Sequence, residues 1–264
     1  MRLKRLRTAA QIGTICLVIL VPLANKKGFT FITGTLYSLA VGPVWITDPL
    51  IGVQTVLTTA RLDAVLLLSL LIPVFLAFAL GRVFCGWMCP QNTISEWADR
   101  VAAKLGITRL FRPQPRALPR TIVLAAVLTA TPLVGFPLAS LLSAPGLISA
   151  QAGKYVVEGV VGLEAGLIGL IVVVEFFLVR RAWCNYLCPV GGFLGLFRLK
   201  GTLKVVFAED AEHVCGKCRA CVDACGLGLD PLGGNLYPLC HNCGDCVGVC
   251  EALKERGKPL SFRF

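Results

Sequence analysis

Hydrophobic length limits this chain more than any other feature. Four apolar segments, at about 8–24, 62–82, 120–142 and 159–179, are long enough or nearly so to cross the ~30 Å hydrocarbon core of a bilayer. Hydrophobic residues make up 56% of the sequence and charged residues only 16%, well short of the roughly 25% of a soluble domain. The formal charge of +11 would fit nucleic acid, but most Lys and Arg flank the apolar segments and read as topology signals, not as a phosphate-binding stripe. No nucleic-acid partner is expected. The opening 1–7 followed by an apolar stretch lacks an A-x-A-like cleavage site and reads as an uncleaved first span.

A fifth apolar stretch, 29–46, is broken by Gly34, Gly42 and Pro43. Charge decides its status. With the N-terminus inside and four spans, sixteen Lys and Arg lie in the inner segments and four (Lys26, Lys27, Arg61 and Lys154) outside. A span at 29–46 would spoil that asymmetry, so it is expected outside as an interfacial or re-entrant segment, with both termini cytoplasmic. Residues 92–112 place Ile94, Trp97, Val101, Leu105 and Leu110 near helical spacing, with Glu96, Asp99, Arg100 and Lys104 on other faces. Such a helix lies on the inner membrane surface or is an ordinary cytoplasmic loop helix. Asp48-Pro49 reads as an N-cap followed by an N1 proline, and Trp45 suits the interfacial belt.

Thirteen cysteines carry the chemistry. Cys215-x-x-Cys218-x-x-Cys221-x-x-x-Cys225 is repeated as Cys240-x-x-Cys243-x-x-Cys246-x-x-x-Cys250. Structural zinc normally uses paired C-x-x-C, and disulfides need no such spacing; a doubled quadruplet is the pattern of two [4Fe–4S] clusters. In two-cluster ferredoxins the fourth cysteine of each run serves the other cluster. Cys215, Cys218, Cys221 and Cys250 then hold one cluster, and Cys240, Cys243, Cys246 and Cys225 the second. The usual proline after the fourth cysteine is replaced by Gly226 and Glu251, which leaves the expected helix after that cysteine and the cluster potential open. His241, beside Cys240, either tunes a cluster or is merely solvated, and solvation is the plainer reading.

A second repeat closes the second and fourth apolar segments. Arg82-Val-Phe-Cys85-Gly-Trp-Met-Cys89-Pro90 matches Arg181-Ala-Trp-Cys184-Asn-Tyr-Leu-Cys188-Pro189. Cysteines four apart share a helix face. Cys85, Cys89, Cys184 and Cys188 are therefore candidates for a redox dithiol, a third metal site shared by the two pairs, part of a quinol pocket, or a structural pair at each helix end. Glu175, late in the fourth apolar segment, is a candidate proton acceptor, with pairing to Arg180 or snorkelling as alternatives; Glu164 has weaker claims. Cys16 reads as a small apolar residue. The only histidines are His213 and His241, so a haem with two histidine ligands in the spans is excluded. The absence of C-x-x-C-H and of a glycine-rich phosphate loop removes attached haem and nucleotide.

The expected fold is a polytopic α-helical membrane protein: four transmembrane helices over 1–204, then a small C-terminal α+β two-cluster ferredoxin-like domain over 205–264. Four spans, two Cys-x-x-x-Cys-Pro motifs and two ferredoxin quadruplets together resemble the NapH/MauN family, with the membrane part of NosR similar. The resemblance covers essentially the whole chain, including Ile46-Thr-Asp48-Pro49 and Trp183-Cys184 through Val190-Gly191. It implies quinol oxidation in the bacterial inner membrane and electron delivery to a partner iron–sulfur or cytochrome carrier. A maturation or regulatory electron donor for a periplasmic metalloenzyme is the alternative, and a membrane anchor with structural clusters a third.

Overall fold

The computed structural model describes residues 2–111, 115–208, 215, 218–233, 236–252 and 259–264. His213 and the side chain of Glu251 lie outside the described residues.

Helix α1 (Arg2–Lys26) runs the length of the molecule and contains Pro22. A three-stranded antiparallel sheet follows, β1 (Ile32–Gly34), β2 (Ser38–Val41) and β3 (Val44–Thr47), with Thr33 opposite Ala40 and Leu39 opposite Ile46. The apolar stretch 29–46 is thus neither a span nor a helix. Its Gly34 and Gly42, both at positive φ, make the turns that a spanning helix cannot contain. Asp48 caps α2 (Pro49–Thr59), its carboxylate accepting the Leu50 N–H at 2.8 Å with Pro49 at the first helical position.

Helices α3 (Ala64–Leu80), α6 (Ala117–Val134) and α9 (Leu163–Phe177) carry the remaining long apolar segments. By length and composition α1 and α6 can cross a membrane; α3 is apolar but shorter. At ~1.5 Å per residue α3 spans about 26 Å and α9 about 22 Å. The third segment was expected to run to residue 142. It stops at Gly135, a left-handed C-cap at φ 69°. The chain then makes a short α7 (Ala139–Leu142) and a further helix, α8 (Ala144–Glu158), packed on α1 and α9.

The polarity of the helical layer is inverted relative to a soluble protein. Leu68, Leu71 and Phe75 of α3, Leu118 and Leu133 of α6, and Leu163 and Leu170 of α9 are exposed. Gln54 and Thr131 are fully buried and bonded to each other at 2.6 Å. A continuous apolar exterior of this kind marks a lipid-facing surface.

After α3 and α9 the chain repeats itself in space as well as in sequence. Helix α4 (Val83–Trp87) leads through Cys89 into α5 (Pro90–Lys104); a π-helical turn (Trp183–Leu187) leads through Cys188 into α10 (Pro189–Leu194). The Cys89 amide donates to Phe84 O and the Cys188 amide to Trp183 O, each at 2.9 Å and each spanning five residues. Both cysteines have nearly the same extended backbone, φ −67° with ψ 118° or 109°.

Strand β4 (Lys204–Phe207) begins at the expected domain boundary and pairs antiparallel with β5 (Leu260–Arg263), enclosing the cysteine quadruplets. Short helices α11 (Ala220–Asp223) and α12 (Asp245–Ala252) complete an α+β unit. The helix expected after Cys225 is absent; the chain turns at Gly226–Leu227 and continues extended. Gly228, at φ 74°, keeps that turn open, where a proline would have favoured starting a helix.

On the far face, Gly146 of α8 touches the Tyr37 ring: a Cβ there would lie 1.8 Å from a ring carbon. Gly146→Ala is expected to cost about 1–3 kcal/mol by overpacking. In detergent this should appear as a lower thermal midpoint with unchanged iron per folded chain.

Candidate metal centres

Cysteines of the two quadruplets meet: Cys225 of the first lies with three of the second, and Cys250 of the second lies near three of the first. Cys225, Cys240, Cys243 and Cys246 all line one cavity, closed by Val205, Leu227, Leu229, Pro231 and Leu236. Cys250 lies within Coulombic reach of Cys221, Cys215 and Cys218. The second set is the more open one, with Cys218 exposed. Both loops use a left-handed residue just after their second cysteine, Arg219 at φ 38° and Gly244 at φ 82°. The turn wraps the chain around the enclosed space. At 244 only glycine fits, because a Cβ would lie 2.5 Å from the Leu3 side chain.

The donor set fits an iron–sulfur cluster. Among the described residues no three Cys, His, Asp or Glu side chains converge as a single ion would require; a cubane sets its thiolates farther apart. His241 supplies a second sign. Solvation was the plainer expectation, yet the ring is buried, and both its nitrogens lack a hydrogen-bond partner among the described residues. It lines the same cavity as the four cysteines. A buried ring nitrogen without a partner is costly; cluster or thiolate sulfur in that cavity would accept from it.

The membrane-end cysteines form another group. Cys89 is in Coulombic reach of Cys85 and Cys188, and Cys184 of Cys89 and Cys188. Burial pushes the Cys188 thiol up to about 11, with Cys85 adding to the shift, and pushes Cys184 well above the usual thiol range. The first motif rests directly on the ferredoxin loop. A Cβ on Gly86 would lie 2.7 Å from His241 O and 3.2 Å from Cys243 Cα, and Trp87 Nε1 donates to Asn242 O at 3.0 Å.

Buried arginines join the two layers. Arg82 Nη1 donates to Leu239 O at 2.6 Å and Pro238 O at 3.1 Å, and Arg120 Nη2 donates to Pro238 O at 3.3 Å. Arg7 bridges Glu96 at 2.5 Å and Asp245 at 2.6 Å. Arg181 reaches Asn92 and Asp99. The expected helix over 92–112 ends at Lys104; its polar face turns inward, burying Asn92, Ser95 and Glu96, while Trp97 and Val101 are exposed, as are Leu105 and Leu110 beyond its end. Apolar side chains turned outward favour the membrane-surface reading of this helix over a cytoplasmic loop helix.

Glu175 is buried in α9 and does not pair with Arg180, which binds Asp99 at 2.9 Å. Its carboxylate accepts from Ser95 Oγ and, at 3.2 Å, from the Trp183 N–H. Glu164 pairs with Lys154 at the opposite end of α9. Sequence reasoning missed Gly86, Arg82, Arg120 and Ser95 as parts of this site. Arg82 was noted as the basic start of the cysteine motif and Arg120 only as a topology charge; the available signal was their position at helix ends beside those motifs.

Fold and site together define a membrane-associated iron–sulfur protein of the electron-transfer class. A family model described as "4Fe-4S binding domain" matches twice, at 62–108 and 161–205. These stretches carry the two Cys-x-x-x-Cys-Pro motifs, not the C-terminal quadruplets. The chain is 31% identical over 249 residues to the methylamine utilization ferredoxin-type protein MauN of Paracoccus denitrificans, covering 91% of this chain and 82% of that one. It is 32% identical over 224 residues to MauN of Methylorubrum extorquens, covering 83% and 73%. It is 30% identical over 225 residues to the ferredoxin-type protein NapH of Escherichia coli, covering 81% and 75%. No solved structure matches. The chain belongs to the NapH/MauN family of ferredoxin-type proteins.

The crossed arrangement predicts which variants share a phenotype. Cys225→Ser and Cys240→Ser should abolish the same electron paramagnetic resonance signal, and Cys250→Ser the other, each with a loss of about four irons. His241→Phe should lower the reduction potential of the cluster that Cys240 serves, because hydrogen bonds to the sulfurs raise it; potentiometric titration reads this directly.

Proposed function

We propose that the protein is a membrane-bound electron-transfer subunit that oxidises quinol and passes the electrons through two [4Fe–4S] clusters to a partner iron–sulfur or cytochrome carrier. Residues 1–204 would form four transmembrane helices in the bacterial inner membrane, and 205–264 the cluster domain, with both termini cytoplasmic. The arrangement of helix ends supports this topology. The start of α1, the end of α3, the start of α6 and the segment after α9 all reach the cluster domain, through Arg7, Arg82, Arg120 and Arg180. Lys26 and the β1–β3 sheet lie at the opposite ends, where Lys26 bonds Val156 O. Alternating directions of this kind suit four antiparallel crossings.

The observation that carries the reading is the direct seating of the Cys85–Cys89 turn on the loop of Cys240, His241 and Cys243. A membrane-end site and a cluster cradle share one packed contact, so an electron leaving the first has a short route to the second. An apolar groove of about 420 Å³, open to the side and lined by Ile94, Ile148, Gln151, Tyr155, Ala165 and Ile168, offers a quinol an approach along α8 and α9. Ile94 precedes Ser95, whose hydroxyl holds Glu175. Oxidising one quinol to quinone releases two protons and two electrons. Glu175 would take a proton and Ser95 fix its carboxylate, while the bound clusters supply one-electron acceptors. Cys85, Cys89, Cys184 and Cys188 would stand between the quinol and the cluster domain.

Anaerobic addition of a quinol analogue to the iron-loaded protein in detergent should bleach its broad visible absorbance. Glu175→Gln should slow that bleaching by about 10²–10⁴-fold, the usual weight of a positioned proton acceptor, with iron content unchanged. Clusters that load fully and never respond to quinol would overturn the quinol reading and favour the maturation or regulatory donor.

A further inference from the structure

Two buried cations lack an anion. Arg82 is 4% exposed and Arg120 2%. Among the described residues no carboxylate pairs with either, and the Nε of each has no hydrogen-bond partner. The two guanidiniums are close enough to repel each other. Their carbonyl partners, Pro238 and Leu239, offer dipoles and no net charge. A buried charge costs several kcal/mol unless it is compensated, and buried charges are ordinarily paired or set against a metal centre.

The groups that face these arginines are the four membrane-end cysteines. Arg120 lies within Coulombic reach of Cys85, Cys184 and Cys188. Arg82 Nη2 reaches the Cys188–Gly191 turn, where a Cβ on Gly191 would lie 2.7 Å from it and 3.8 Å from Cys188 Sγ. Two cysteines come from each half of the structural repeat, on matching turns with the same five-residue hydrogen bond and nearly the same backbone angles. Amides in the first turns of the following helices, those of Asn92 and Gln91 and that of Gly191, are turned to the Cys89 and Cys188 sulfurs. Amides so placed stabilise thiolate sulfur.

Free thiols carry no charge to balance two guanidiniums; metal-bound thiolates do. We propose that Cys85, Cys89, Cys184 and Cys188 together ligate a third iron–sulfur cluster of the [4Fe–4S] type, shared between the two halves of the repeat, with Arg82 and Arg120 as its buried counter-charges. On loading, each cysteine releases its thiol proton as its Fe–S bond forms, and the core comes from the same supply that fills the C-terminal sets. Four thiolates on a doubly positive core leave a dianion, which matches the two arginines. Neither half is a site alone, since each has two cysteines and a cubane takes four. The family model matches each half separately; the geometry requires both for one centre. This inference goes beyond the quinol reading and stands without it.

Iron and acid-labile sulfide in the anaerobically purified full chain test it without any quinol. About twelve irons per chain are expected, against about eight for the quadruplets alone. Cys85→Ser and Cys184→Ser should each lose about four irons and the same Mössbauer component, leaving the signals that depend on Cys225 and Cys250 intact. Loss of one shared component from variants in opposite halves is the result that a merely structural cysteine pair does not give. Should both variants fail to accumulate, the wild-type count and Mössbauer intensities decide the matter. About eight irons in the wild type, with the four membrane-end cysteines titrating as free thiols or recovered as disulfides, would overturn the proposal.

Discussion

Guanidinium groups buried at the ends of apolar helices are the interaction on which the rest of this molecule depends. An arginine at a membrane face can leave its charge in water or turn it into the protein, where each donor must find an acceptor. Here the inward choice prevails. Arg82 and Arg120 take up the carbonyls of Pro238 and Leu239, Arg7 takes Glu96 and Asp245, and Arg180 takes Asp99 and Cys225 O. Acceptors on the cluster domain and donors on the helix ends complete each other. Neither layer satisfies these polar groups alone, so the cysteine-rich C-terminal region is packed into the helical layer and not loosely tethered to it.

That dependence has a functional consequence. Electron transfer falls steeply with distance, and a domain on a flexible linker would meet its donor only intermittently. The arginine contacts, the Trp87 bond to Asn242 O and the Asn242 bonds to Leu80 O and Leu203 O hold the Cys240–Cys246 loop against the Cys85–Cys89 turn. Glycine at 86 removes the one Cβ that would wedge them apart. The other cysteine set is the more exposed one, with Cys218 at the surface.

Much of this was legible in the sequence, and the parts that were not have identifiable causes. Cysteine spacing announced both quadruplets, and Cys225, Cys240, Cys243 and Cys246 line one cavity. Asp48 and Pro49 announced the start of α2 because capping is local chemistry. Hydropathy located the apolar helices but not their ends: Gly135 stops α6 early, and the small residues of 144–158 conceal α8, whose Gly146 answers to the Tyr37 ring and not to any periodic signal. Periodicity also marked the amphipathic α5 without saying which face the protein would keep. In a membrane setting the inward face is the polar one, and Asn92, Ser95 and Glu96 bear that out. The burial of His241 depends on contacts with Gly86, more than 150 positions away, which no local pattern carries.

The inverted polarity and the charge placement meet in one constraint. Lipid tails give no hydrophobic drive for helix association, so helices here must be held by packing and by polar contacts in their interior. The structure supplies those contacts in two tiers. Away from the cluster domain, Gln54 joins α2 to Thr131 of α6 and to the Ala139 amide, using neutral groups that cost little to bury when fully bonded. At the cluster face the tier is ionic: Asp99 answers Arg109, Arg180 and Arg181, and Glu96 also reaches Arg181. Arginines outnumber carboxylates on this face among the described residues. The surplus becomes tolerable inside the protein only where electron-rich groups replace the missing carboxylates. Four cysteines and two arginines that have no carboxylate partner among the described residues meet at the same helix ends, so the surplus charge and the proposed thiolate chemistry answer one electrostatic demand.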